Sequence, residues 1–244
     1  MTLDFLQVLE KQTVFNRAVV YDAMRQFGMG PDVTTLQNDF QRLLDGGKIV
    51  RVSRNAYCIP KAGVMLYEHS YSSLAKDIAR CVTENHPYLK FTILELIQFN
   101  EFVNHQLAHN VVFLAVEGEI MDFVFDTLKE KFPGKVLLNP TPQVFHQYWS
   151  DGMIVIVRLI TEAPKGQRIF WHTRIEKLLV DLLTEPLLQE SIGESEYRTV
   201  YEDAFERYVI DESCLFRYAK RRSSKQIVER FIKEQTDIQL KIKR

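Results

Sequence analysis

Cysteine is scarce in this chain. Cys58, Cys81 and Cys214 are scattered, with no two at metal-ligand spacing. That excludes a zinc ribbon and a disulfide scaffold, and it fits three reduced thiols in a cytoplasmic protein. Glycine is thin as well, and neither G-x-G-x-x-G nor a P-loop occurs, so a phosphate-cradling loop is not expected. No apolar run approaches the ~20 residues of a membrane-spanning helix. The longest runs, residues 111–116 and 153–157, have strand length. Asp4 and Glu10 stand where a secretion signal would be basic and then apolar. There is no internal repeat and no low-complexity stretch. What remains is ordinary globular composition: 46% hydrophobic residues can build one large core or two modest ones.

The net charge of −1 conceals an uneven distribution. Residues 1–60 hold seven Lys/Arg and six Asp/Glu, residues 61–213 hold fourteen and twenty-three, and residues 214–244 hold ten and three. The acidic middle repels DNA. The basic tail is suited either to phosphate or to the acidic middle of its own chain.

The densest pattern lies in residues 32–60. Val33, Leu36, Phe40, Leu43 and Leu44 recur at helical spacing on one face. Thr34, Thr35, Asn38, Gln41 and Arg42 occupy the other, and such side chains reach base edges and phosphates in a major groove. Gly46 and Gly47 stop the helix. Residues 48–60 then alternate and turn. Ile49, Val52, Tyr57 and Ile59 are expected to face inward, with Lys48, Arg51, Ser53, Arg54 and Asn55 left for solvent or phosphate. Upstream, Leu3, Phe5, Leu6 and Leu9 predict a short helix, and Val14 and Phe15 a short strand beside the hairpin. Asn16 caps a second helix using Val19, Val20, Ala23, Met24 and Phe27. Helix, short strand, helix, helix, hairpin is the order of a winged helix-turn-helix. With a nearly neutral module, each protomer has few phosphate contacts. Dimerisation, or cooperative binding to repeated sites, has to supply the remaining affinity for double-stranded DNA.

Residues 61–63 read as a connector, dividing a DNA-binding domain over 1–62 from a domain over 63–244. The second part alternates. Helices are expected over 72–86, 94–103, 119–132 and 141–149, and strands over 88–93, 111–116, 135–138 and 153–160. That pattern predicts an α/β domain with at least partly parallel pairing. After Gly166 the strands mostly stop, and helices over 173–183, 197–208, 212–222 and 225–233 make the last third helical. The fold class is therefore mixed α and β.

Catalytic chemistry is not apparent. His105 and His109 have the i, i+4 spacing of a helical metal pair but lack an acidic third ligand at a set distance. Asp122 and Asp126 share that spacing beside Glu117 and Glu119, without the Gly-Ser turn a nucleotidyltransferase needs. A solvated helix face is the simpler account. Thr173 and Glu176 have capping-box spacing, and Tyr218 to Arg222 form a basic patch on a helix. No cofactor, no metal and no enzymatic activity are expected.

These residues resemble those of a known family. The segment LLDGGKIVRVSRNAYCIP looks like the N-terminal domain of AbiEi-type antitoxins from abortive-infection toxin–antitoxin pairs. TRIEKLLVDLL is similar to a C-terminal element of that family through Thr173, Glu176, Lys177 and Asp181. RYAKRR is similar to another through Tyr218, Ala219, Arg221 and Arg222. The middle, NVVFLAVEGEIMDFVFDTLKEKF and KVLLNP, fits an α/β branch of the same family. The resemblance implies a transcriptional autoregulator that represses its own operon through the winged domain. Its C-terminal domain would counteract a nucleotidyltransferase-like toxin encoded nearby. An enzyme acting on nucleotides or nucleic acid with a winged targeting module, and a pure interaction adaptor, are the competing readings.

Overall fold

A computed structural model describes residues 4–10, 12, 14–53, 55–60, 64–166 and 168–241. Arg54, the expected connector at 61–63 and Leu3 lie outside the described residues.

The N-terminal part holds α1 (Asp4–Glu10), α2 (Arg17–Gln26), α3 (Val33–Asp45), β1 (Val50–Ser53) and β2 (Ala56–Cys58). Local chemistry sets each boundary. The Asn16 side chain accepts from Val19 N–H at 3.0 Å and caps α2. The Asp32 carboxylate caps α3 through Thr35 N–H at 2.8 Å. Between the two helices Gly30 takes φ +66, and a Cβ there would lie 2.4 Å from the Leu36 side chain. Phe40 sits at the centre of the module. It meets Tyr21 and Tyr57 edge to face, with the Arg17 guanidinium over its ring. Phe15 bridges Tyr57 antiparallel, which is the short strand expected beside the hairpin. Phe27 and Val33, expected on apolar faces, are exposed instead, because both lie at helix ends beyond the last packed turn.

The second part is built on a four-stranded sheet in the order β3 (Phe91–Glu95), β4 (Val111–Val116), β6 (Met153–Arg158), β5 (Val136–Leu138). β3 is antiparallel to β4, while β4–β6 and β6–β5 are parallel. All six residues of β4 are buried, as a central strand covered on both faces requires. Val112, Leu114 and Val116 pack under α4 (Ser73–Asn85) and α5 (Met121–Lys131). Val111 and Phe113 face the other way, onto α6 (Pro142–Tyr148), α7 (Ile175–Thr184) and α8 (Pro186–Ser191). Behind these come α9 (Tyr197–Arg207), α10 (Glu212–Arg221) and α11 (Lys225–Gln235). The helix expected over 94–103 is only a short 3-10 turn, Leu96–Glu101, because β3 runs on to Glu95. Among the described residues no helix is long and apolar enough to cross a membrane.

The hairpin is covered on both faces. Tyr57 and Ile49 belong to the core of the winged module. Val50, Val52 and Cys58 form a second cluster with Val14, Ala56 and Val209, so this face packs on the body. The chain after the connector is tied to the same place: Met65 N–H donates to Arg207 O and Val209 N–H to Met65 O, both at 3.0 Å.

Candidate functional site

The outward face of α3 is the first candidate. Thr34, Asn38, Gln41 and Arg42 are exposed along it. Two of the four are held by neighbours, Gln41 by Asp45 at 2.8 Å and Arg42 by Asp39 at 3.0 Å. Thr35 is half-buried, and its hydroxyl donates to Asp32 at 2.8 Å, so it serves the helix cap. Lys48 and Arg51 are exposed beside the hairpin, with Arg51 opposite Tyr57. Asn55 turns the hairpin at φ +54, and its side chain accepts from Arg17 N–H at 3.2 Å. The backbone of Ser53 ends β1 at a register shift, and Arg54 lies outside the described residues. Exposed polar side chains are thus grouped on one helix face, with Lys48 and Arg51 exposed at the hairpin that follows it.

The C-terminal motif residues meet in space but inside the protein. Thr173, Glu176, Lys177, Asp181 and Tyr218 are all buried. Asp181 is the hub. It accepts from Lys177 Nζ, from Tyr218 Oη at 2.8 Å and from Arg222 at 3.0 Å, and Arg222 also reaches Glu185 at 3.1 Å. Burial and the Asp181 charge push the Tyr218 phenol well above its ordinary value. Burial works against the Arg222 charge, but Asp181 beside it prevails and strengthens the guanidinium's hold on its proton. The Glu176 carboxylate receives Arg174 at 2.8 Å and Asp211 N–H at 2.9 Å. The capping box expected between Thr173 and Glu176 does not form, since the Thr173 hydroxyl donates instead to Ile93 O at 2.7 Å. Only Arg221 points outward, to Glu162. A partner reaches none of the five buried side chains without opening the fold.

A second polar centre lies at the end of β3. Glu95, fully buried at the end of β3, accepts from Ser72 Oγ and Asn110 at 2.6 Å and from Ser72 N–H at 2.9 Å. His69 Nε2 lies 3.2 Å from it. Burial works to raise this carboxyl, but the hydrogen bonds from His69, Ser72 and Asn110 outweigh it and hold the group below its usual range. Tyr71 meets His69 edge to face and His172 at a tilt. Burial pushes His172 down, so its imidazole stays neutral near pH 7. The two histidines line a cleft of about 230 Å³ that also takes in Leu44 and Asp45 from the end of α3. The only available hint was a Glu closing an apolar strand.

His105 and His109 lie outside any helix and pair separately, with Glu196 and Asp151. Among the described residues no group of three or more His, Cys, Asp or Glu could hold a metal ion.

Fold and site together define a winged helix-turn-helix joined to a sheet unit layered with helices on both faces. The chain belongs to DUF6577, a family of unknown function, whose model matches residues 35–238. That match starts inside α3 and runs through the body, so hairpin and body fall within one family unit. No curated protein matches the chain. Among solved structures, the RV2827C protein from Mycobacterium tuberculosis is similar at a TM-score of 0.32 and 14% identity, over 91% of this chain and 75% of that one. A likeness that weak fixes neither fold nor function.

Proposed function

We propose that this protein is a cytoplasmic, DNA-binding transcriptional autoregulator. It binds its own operator through α3 and the hairpin, and its C-terminal part counteracts a nucleotidyltransferase-like toxin. The observation that carries the reading is the outward face of α3. Its polar side chains stay exposed while the opposite face of the hairpin is covered by the body. Acidic repulsion from the body and the scarcity of free cations mean that affinity comes from few phosphate contacts, multiplied by assembly on DNA.

The test is a mobility-shift titration of the region upstream of the gene. Arg51→Ala with Arg54→Ala should weaken binding to all sequences and reduce the salt slope by up to about two phosphate contacts. Asn38→Ala should change base preference instead. Absence of binding at low salt would overturn the reading. A second reading, a nucleic-acid- or nucleotide-processing enzyme, draws support from the His69–His172 cleft at the end of α3. It predicts an activity that His69→Ala abolishes without loss of fold.

A further inference from the structure

A larger cleft, of about 1030 Å³, lies between the back of the hairpin and the body. One wall is Val50, Cys58 and Ile59, and the other is Phe205, Val209 and Ile210. Its charged lining is predominantly acidic. Glu10, Glu202, Glu206 and Asp237 stand at the rim and Glu212 is buried beneath them, against a single cation, Lys241. Glu202, Glu212 and Asp237 already have partners in Arg198, in Asp237 N–H and in Lys241 N–H. Glu10 and Glu206 are exposed, and among the described residues neither pairs with a cation.

The chain itself demonstrates what this cleft accepts. After α11 it runs along one side without helix or strand structure. Asp237 N–H donates to Glu202 and Lys241 N–H to Glu212, at 2.9 and 2.8 Å, while Ile238 and Leu240 pack onto the body's core. Carboxylates thus take backbone N–H groups, an apolar wall takes Ile238, and a lysine stands at the rim. The remaining volume is at the upper end of small-molecule pockets, ~300–1,000 Å³, and suits a short peptide. Nucleic acid is excluded by the sign of the rim.

We propose that this cleft docks an extended segment of a partner protein in which lysines or arginines alternate with aliphatic residues. The inference rests on the reading that the body engages a protein partner, and it assigns that contact to the cleft behind the hairpin. A partner seated there touches Ile59 and Pro60, which follow directly on β2 of the hairpin whose other face belongs to the DNA-binding module. Partner and operator therefore act on one hairpin.

The experiment uses the full chain and two fluorescein-labelled octapeptides, one reading KIKLKIKR and one with every Lys and Arg replaced by Glu. Fluorescence anisotropy should show binding of the basic peptide only. Glu10→Arg with Glu206→Arg should weaken it about tenfold. Asp122→Lys with Asp126→Lys, the same charge change on α5, should leave it within about twofold. Both pairs are at the surface, so thermal unfolding should not change. No binding of the basic peptide, equal binding of both peptides, or equal loss in the two variants would overturn the proposal. A mobility shift on the same protein separates the failures: operator binding without peptide binding sinks the cleft alone. Peptide binding without operator binding sinks the DNA reading alone.

Discussion

Helices α3 and α7 both carry charged and polar side chains at regular spacing, yet they use them in opposite ways. In α3 only Leu36 and Phe40 are fully buried among thirteen residues, and the polar face meets solvent. In α7 nine of ten residues are buried, Glu176, Lys177 and Asp181 among them. A helix buried all round has no solvent face, so each polar group must find its partner within the fold. Asp181 does so by gathering Lys177, Tyr218 and Arg222 from two helices and the turn after α10. A motif shared through such residues reports how a fold is held together. A motif shared through α3 reports what the surface is offered to.

The contrast breaks most sharply at Asp181. Asp181→Ala leaves Lys177, Arg222 and the Tyr218 hydroxyl without their common acceptor. The expected loss is about 3–5 kcal/mol, the cost of removing one partner from a buried ion pair. Urea unfolding measures it. A loss under 1 kcal/mol would mean that the network is open to water, and α7 would be a candidate partner surface.

Glu95 gives the next effect. Glu95→Gln places an amide N–H₂ among donors from Ser72 and Asn110, for a loss of about 1–3 kcal/mol at neutral pH. The pH dependence follows from the lowered carboxyl. Below its ordinary value of 4.5 the unfolded chain binds the proton first, so native stability is present above that value. It drains away as pH falls through the folded group's lower one. The variant should lack that part of the acid slope. An unchanged slope between pH 5 and the acid transition would show that Glu95 is not the charged anchor of α4.

Separating the modules is expected to cost less. Residues 64–244 contain their own sheet and two clusters of core residues. The fragment should unfold cooperatively, about 1–2 kcal/mol less stable for lack of the apolar cover that Val50 and Val52 give Val209. Loss of the near-ultraviolet signal in the fragment would instead make the hairpin part of one indivisible core.

Legibility in the sequence followed locality. The elements of the winged module were readable because their boundary signals sit within a turn of the helices they bound: Asn16 and Gly47 act on adjacent backbone. The apolar runs of β4 and β6 were equally plain. The packing of the hairpin on the body was not, because Val50 and Cys58 alternate as any half-buried strand does, and Val209 lies some 150 positions away. Arg221 and Arg222 make the same point at one step's distance. The first turns outward to Glu162 and the second inward to Asp181 and Glu185, a difference set by partners on other elements.

The smallest effect separates two neighbours on α3. Thr35 and Asn38 are both short polar residues, three positions apart, and both suit base contact by type. The Thr35 hydroxyl, however, is committed to Asp32, while the exposed Asn38 side chain makes no hydrogen bond among the described residues. Thr35→Val should therefore cost about 0.5–1 kcal/mol of stability through the weakened cap and leave the preferred operator sequence unchanged. Asn38→Ala should change stability by less than about 0.5 kcal/mol, as surface substitutions do. It should relax base discrimination at one position by about 1–3 kcal/mol. Thermal unfolding and selection from a randomised operator library read the two quantities independently. The opposite outcome, altered preference for Thr35→Val and none for Asn38→Ala, would mean that the helix lies on DNA by its N-terminal end, with the cap opened on binding.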